Sequence, residues 1–166
     1  MLTRSLVAIA LVLAGAAAAA LLHAALSKGD SLFSWKRPDI LGAKDGRLAR
    51  CKSSPNCVSS QADPADAEHA VAPIAFRGTA LEALAAVRKA VDGMPGATVV
   101  RHDANYLYAE FRTRLMRFVD DVEFVHDEKA GVIHVRSASR LGRRDFGVNR
   151  ARVEAIRARV EKRVRA

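Results

Sequence analysis

The chain of 166 residues carries a formal charge of +9 and has room for one compact domain plus a targeting segment. Residues 136–166 hold eleven Lys or Arg against three acids, so that segment is +8 and the other 135 residues sum to +1. Such a basic end favours anionic partners, whether lipid headgroups or acidic proteins, while sparse aromatics and an apolar N-terminus disfavour nucleic acid.

Residues 5–26 contain no charge, and 22 helical residues reach about 33 Å, enough to cross a bilayer core. Leu, Val and Ile cluster from Leu6 to Leu13, followed by a weaker Ala run. The segment reads first as a membrane anchor, with Trp35, Lys36 and Arg37 as interfacial residues, and the domain is expected in the periplasm. Arg4 in front and Ala18, Ala19 and Ala20 behind also suit a cleaved secretory signal, releasing a secreted or periplasmic domain. One rule opposes both. Lys28, Lys36, Arg37 and Lys44 outnumber Arg4 plus the amino terminus, which counts toward the cytoplasmic face of the membrane.

Residues 27–50 read as a linker punctuated by Gly, Pro, Asp and Ser, and residues 51–166 as a single domain. A short strand is expected within residues 69–76. Thr79 with Glu82 three residues later forms a capping box, and Leu81, Leu84, Val87, Arg88 and Val91 follow the helical period until Gly93 and Pro95 stop it. The centre reads as antiparallel strands over residues 97–101, 106–114, 119–126 and 132–139. Alternation puts Leu107, Ala109, Phe111 and Thr113 on one face, with Tyr106, Tyr108, Glu110, Arg112 and Arg114 on the other. Likewise Ile133 and Val135 point inward, and His134, Arg136 and Ala138 outward. Residues 148–164 form a helix whose Val153, Ile156, Val160 and Val164 make one stripe among arginines. The expected fold is α+β, a two-layer sandwich in the order (β)αββββα. Two helices cover one face of a four- to five-stranded, mostly antiparallel sheet, and the N-terminal hydrophobic helix stands in addition.

Cys51 and Cys57 are the only cysteines. In an oxidising compartment their spacing can close a small ring worth roughly 2 kcal/mol, stapling a loop without regular structure. Free thiols remain the alternative. The spacing is wrong for a thioredoxin-type redox pair, and the scattered His69, His102, His126 and His134 give no zinc pattern. Ser53, Ser54, Ser59 and Ser60 lack the Gly-x-Ser-x-Gly frame of a nucleophile elbow. Asp120, Asp121 and Glu123 either bind a divalent ion or pair with Arg112, Arg114 or Arg117. The apolar turn Leu115-Met116-Arg117-Phe118 either completes the core or forms a lip against membrane or ligand.

Three blocks occur in order: Cys51-Lys-Ser-Ser-Pro-Asn-Cys-Val-Ser-Ser60, Phe118-Val-Asp-Asp-Val-Glu-Phe124 and the Arg-, Ser- and Gly-rich residues 136–150. Together they resemble the family catalogued as domain of unknown function 1499, from about Cys51 to the end of the chain. The resemblance implies a shared domain but carries no reaction, cofactor or catalytic residue to transfer.

The most site-like feature is the block 136–150. Arg136, Ser137, Ser139 and Arg140 end a strand, and a loop with Gly142, Asp145 and Gly147 meets a helix start at Asn149 and Arg150. With Arg112, Arg114 and His134 they are expected to bind an anionic small molecule or lipid headgroup. The structural alternative makes both glycines turn residues, Asn149 a helix cap and Asp145 the partner of an Arg. An accessory binding domain without chemistry is therefore the leading expectation, with no catalytic residue, cofactor or metal. A scaffold meeting an acidic protein through its Arg-rich helix, and an enzyme using His134 or Asp121, are the other two classes.

Overall fold

The computed structural model describes residues 36–164. The anchor or signal segment expected at residues 5–26 lies outside the described residues. Within them, no helix is long and apolar enough to cross a membrane.

The first helix, α1 (Ala80–Asp92), begins where the capping box placed it. Thr79 Oγ1 accepts from the Glu82 amide at 3.3 Å, and Glu82 Oε2 accepts from the Thr79 amide at 2.9 Å. Its buried face comprises Ala83, Leu84, Val87, Ala90 and Val91. Leu81, expected in that stripe, is 72% exposed. At 100° per residue it lies about 120° from the centre of the buried face, because Ala83 and Ala90 draw that face the other way.

The strands are β1 (Cys57–Ser59), β2 (Ile74–Ala75), β3 (Ala97–Asp103), β4 (Tyr106–Arg112), β5 (Val119–Asp127) and β6 (Val132–Ser139), and the closing helix is α2 (Val148–Val164). They form one antiparallel sheet in the order β1-β6-β5-β4-β3, with β2 also on β6. Cys57 pairs with Ala138 and Ile74 with Ile133, so β1 and β2 lie in line along the outer edge of β6. β1 falls within the Cys block read as loop, because three residues give no alternation to detect. The expected two-layer α+β arrangement is present, with both helices contacting the sheet. Leu107, Ala109, Phe111, Val122, Phe124, Ile133 and Val135 pack with Val153, Ile156, Val160 and the apolar face of α1.

The second face of the sheet is covered too, which the alternation did not foretell. Residues 36–50 run over it as an extended strap. Leu48 joins Tyr106, Tyr108 and Val125 in a small apolar cluster, with Leu41 packed against it. Asp45 and Gly46 both take positive φ (51° and 72°) and turn the strap back on itself, with reciprocal 2.9 Å bonds between Lys44 and Arg47. The Cys51–Cys57 disulfide then ties the strap's end to β1.

Candidate functional site

Register decides which charges meet on the covered face. Glu110 lies opposite Asp121, and Glu123 opposite both Tyr108 and Arg136. Glu123 is fully buried and accepts three bonds: from Tyr106 Oη (2.8 Å), from the Gly42 amide of the strap (2.8 Å) and from Arg136 Nη1 (3.0 Å). Beside it, Arg140 donates to Asp121 and Glu110, each at 2.7 Å, and to Tyr108 Oη at 2.9 Å. Arg37 reaches from the strap to Glu110 at 2.7 Å and lies over the Tyr108 ring, and Arg112 adds a 3.2 Å bond to Glu110.

Burial alone would raise the Glu110 pKa. The donors Arg37, Arg140, Tyr108 and Arg112 outweigh it and bring the carboxyl down to about 2. Tyr106 and Tyr108 are pushed far above 10, first by burial and then by the carboxylates they face. Burial opposes the charge on Arg140, yet Asp121 and Glu110 raise its pKa. The self-repulsion expected of converging arginines is thus met from within the fold, by Glu110, Asp121 and Glu123.

A second set lies on the helix side, where α2 meets β6. Fully buried Asn149 donates to Ser139 Oγ (2.9 Å) and the Asn56 carbonyl (3.1 Å), and accepts from Ser137 and Arg152. Arg152 continues to Asp120. Asp145 supplies the cap, accepting the Asn149 amide at 2.8 Å and the Gly147 amide at 3.0 Å. The amides expected to greet an anion at this junction are therefore met by Asp145 itself. Arg150 donates to the carbonyls of Ala70, Ala67 and Glu68, and Arg157 to those of Pro73 and Ala72.

The ten residues expected to form one site divide accordingly. Arg112, Arg136 and Arg140 belong to the covered network. Ser137, Ser139, Asp145, Asn149 and Arg150 belong to the α2 seam. Arg114 is exposed on the turn after β4. His134 stands at the sheet margin, its Nδ1 3.2 Å from Ser60 Oγ. Burial lowers the His134 pKa, and Ser60 Oγ also accepts the Val135 amide at 2.9 Å. Asp120 pairs with Arg152 of α2, Asp121 with Arg140 just past β6, and Glu123 with Arg136 of β6.

A third arrangement escaped sequence reasoning. A cleft of about 570 Å³ opens between residues 47–53 and 59–69, with Arg47, Arg50 and Lys52 on its walls. None of these three has an ion-pair partner among the described residues. Buried His69 lines it, with Nδ1 2.7 Å from Asp66 Oδ2 and Nε2 3.3 Å from the Ser54 carbonyl. Both neighbours are acceptors, so both contacts are hydrogen bonds only when the ring carries two protons. Burial pulls the His69 pKa down, but Asp66 and the Ser54 carbonyl more than offset it and the net shift is upward. Gln61 holds the strap in place by accepting from the Leu48 amide at 2.8 Å and donating to the Gly46 carbonyl at 2.9 Å. No group of three His, Cys, Asp or Glu side chains placed to hold a metal ion occurs among the described residues.

The family described as protein of unknown function (DUF1499) matches residues 47–160, and the chain belongs to it. The matched span takes in the cleft, the sheet and α1. No curated protein matches the chain.

Proposed function

We propose that this domain binds a small anionic molecule or headgroup, without chemistry, in the cleft beside His69, and that it does so at a membrane outside the cytoplasm. The observation that carries the reading is the charge of the cleft. Arg47, Arg50, Lys52 and a doubly hydrogen-bonded His69 face two carboxylates, Asp63 and Asp66, leaving an excess of positive charge. Guanidinium forks and an ammonium suit phosphate, sulfate or carboxylate.

In a thermal-shift series with inorganic phosphate, sulfate and small carboxylates, at least one should raise the melting temperature saturably. Arg50→Gln and Lys52→Gln should each remove that gain without changing the unliganded melting temperature. Equal gains in wild type and both variants would reduce the effect to general salt stabilisation and end the proposal. The pH dependence has a defined sign. His69 has a raised folded pKa, so its contribution is complete below about 6.5 and is lost as pH rises through the raised value. The gain from phosphate should therefore shrink as pH rises through that range, and His69→Gln should flatten the dependence.

The Cys51–Cys57 bridge supports an oxidising compartment. Protein drawn from cells under thiol-blocking conditions and then denatured should show no free thiol. Two reactive thiols per chain would argue for a reducing compartment and against export.

A further inference from the structure

Two loops leave the sheet side by side at one end, residues 113–118 after β4 and residues 140–147 after β6. Their bases are joined, since the Arg140 amide donates to the Val119 carbonyl at 3.1 Å. A depression of about 760 Å³ is bordered by Arg114 and Arg117 of the first loop and by Val148 and Arg152 just past the second. From this end project Leu115 (89% exposed), Met116, Phe118 and Phe146 (95% exposed). Among them stand Arg114, Arg117, Arg143 and Arg144 against a single acid, Asp145, which is engaged in capping α2.

Stability of the fold does not explain Phe146. An aromatic ring almost wholly in water contributes no burial, and its φ of 54° is a left-handed conformation that costs a side chain with a Cβ. That conformation is held in place by Asp145, whose carbonyl accepts the Val148 amide while its carboxylate accepts those of Gly147 and Asn149. The other loop is as firmly set. Thr113 accepts the Phe118 amide on Oγ1 at 2.9 Å and donates its own amide to the Phe118 carbonyl at 2.9 Å, with Arg117 at φ 53° between them. Exposed apolar tips on rigid loops, ringed by arginines, match a bilayer interface, where rings and aliphatic groups enter the headgroup layer and cations meet anionic phosphates.

The described chain also enters at this end. Arg37 is fixed to Glu110, two residues before β4 gives way to the 113–118 loop. The uncharged run 5–26 finishes ten positions before Lys36, a reach of at most about 35 Å. A bilayer that holds that run therefore lies within reach of the loops.

We infer that the Leu115–Met116–Phe118–Phe146 surface docks this end of the domain onto an anionic bilayer. This surface is separate from the His69 cleft and does not rest on its having a ligand. The test uses the full chain in nanodiscs of phosphatidylcholine alone or mixed with phosphatidylglycerol, carrying Trp35→Phe and Phe146→Trp so that a single indole reports. In the anionic discs its emission should shift to the blue and be quenched by brominated acyl chains. Replacing Arg114, Arg143 and Arg144 together by Gln should weaken docking about a hundredfold, at roughly 1 kcal/mol per arginine, and high salt should mimic that loss. An unchanged melting temperature for each variant confirms that the fold persists. Emission unshifted in both discs would overturn the inference. So would a blue shift without bromine quenching, which places the ring against protein, and so would equal quenching in neutral and anionic discs.

Discussion

Replacing Glu123 by Ala is expected to cost about 3–5 kcal/mol, a large part of the about 5–15 kcal/mol that holds a domain of this size together. The substitution strands three donors at once. Arg136 Nη1 keeps its charge in a buried place, and Tyr106 Oη and the Gly42 amide lose their acceptor. An unfilled buried donor costs its whole desolvation penalty, so the loss exceeds what the bonds contribute as pairs. Glu123→Gln should fall between, since its amide oxygen still accepts from Tyr106 and Gly42. The double variant Glu123→Leu with Arg136→Met should recover much of the loss, because removing both charges leaves neither uncompensated. Urea unfolding monitored by circular dichroism gives the numbers. A loss under about 1 kcal/mol for Glu123→Ala would show that the strap does not seal this face in solution.

Acid should unmake the same region through Glu110. Its folded pKa of about 2 lies below the ordinary 4.5, so it stabilises the fold above the unfolded value. That contribution, on the order of 3 kcal/mol, is present at neutral pH and disappears as pH falls from 4.5 through 2. Protonation removes the charge that Arg37, at the strap's entry, and Arg140 both meet on Glu110. The melting temperature should therefore fall steeply across that window in the wild type. Glu110→Gln should begin lower at neutral pH and descend less steeply. Parallel curves would move the acid sensitivity to another carboxylate.

Much of the architecture could be read from local pattern, because local pattern causes it. The capping box fixed the start of α1, and alternation from Tyr106 to Arg112 assigned every side chain of β4 to its face. Alternation gives a face but not a neighbour. Which carboxylate met which arginine was set by register between strands, and so Asp121 found Arg140 and Glu123 found Arg136. The strap was harder still. Residues 36–50 have neither period, and much of their order comes from distant partners, Glu110 for Arg37 at 73 positions and Glu123 for Gly42 at 81. The cleft was hidden for the same reason, since Arg50 and His69 are adjacent only once the strap and the loop after β1 are in place. The pair Asp66–His69 was the available signal, at a spacing that puts a carboxylate beside an imidazole.

The grip of α2 on residues 56–73 bears on how the protein is made. Arg150 and Arg157 hold carbonyls 80 to 85 positions earlier, Asn149 holds one 93 positions earlier, and β1 and β2 have no other strand to pair with than β6. Closure of the core must wait until α2 has left the ribosome. Until then the growing chain has hairpins but no finished interior, a condition in which it can still be threaded end-first through a narrow channel. A fold that closes only once α2 is present therefore leaves residues 57–139 unsealed until that helix is made.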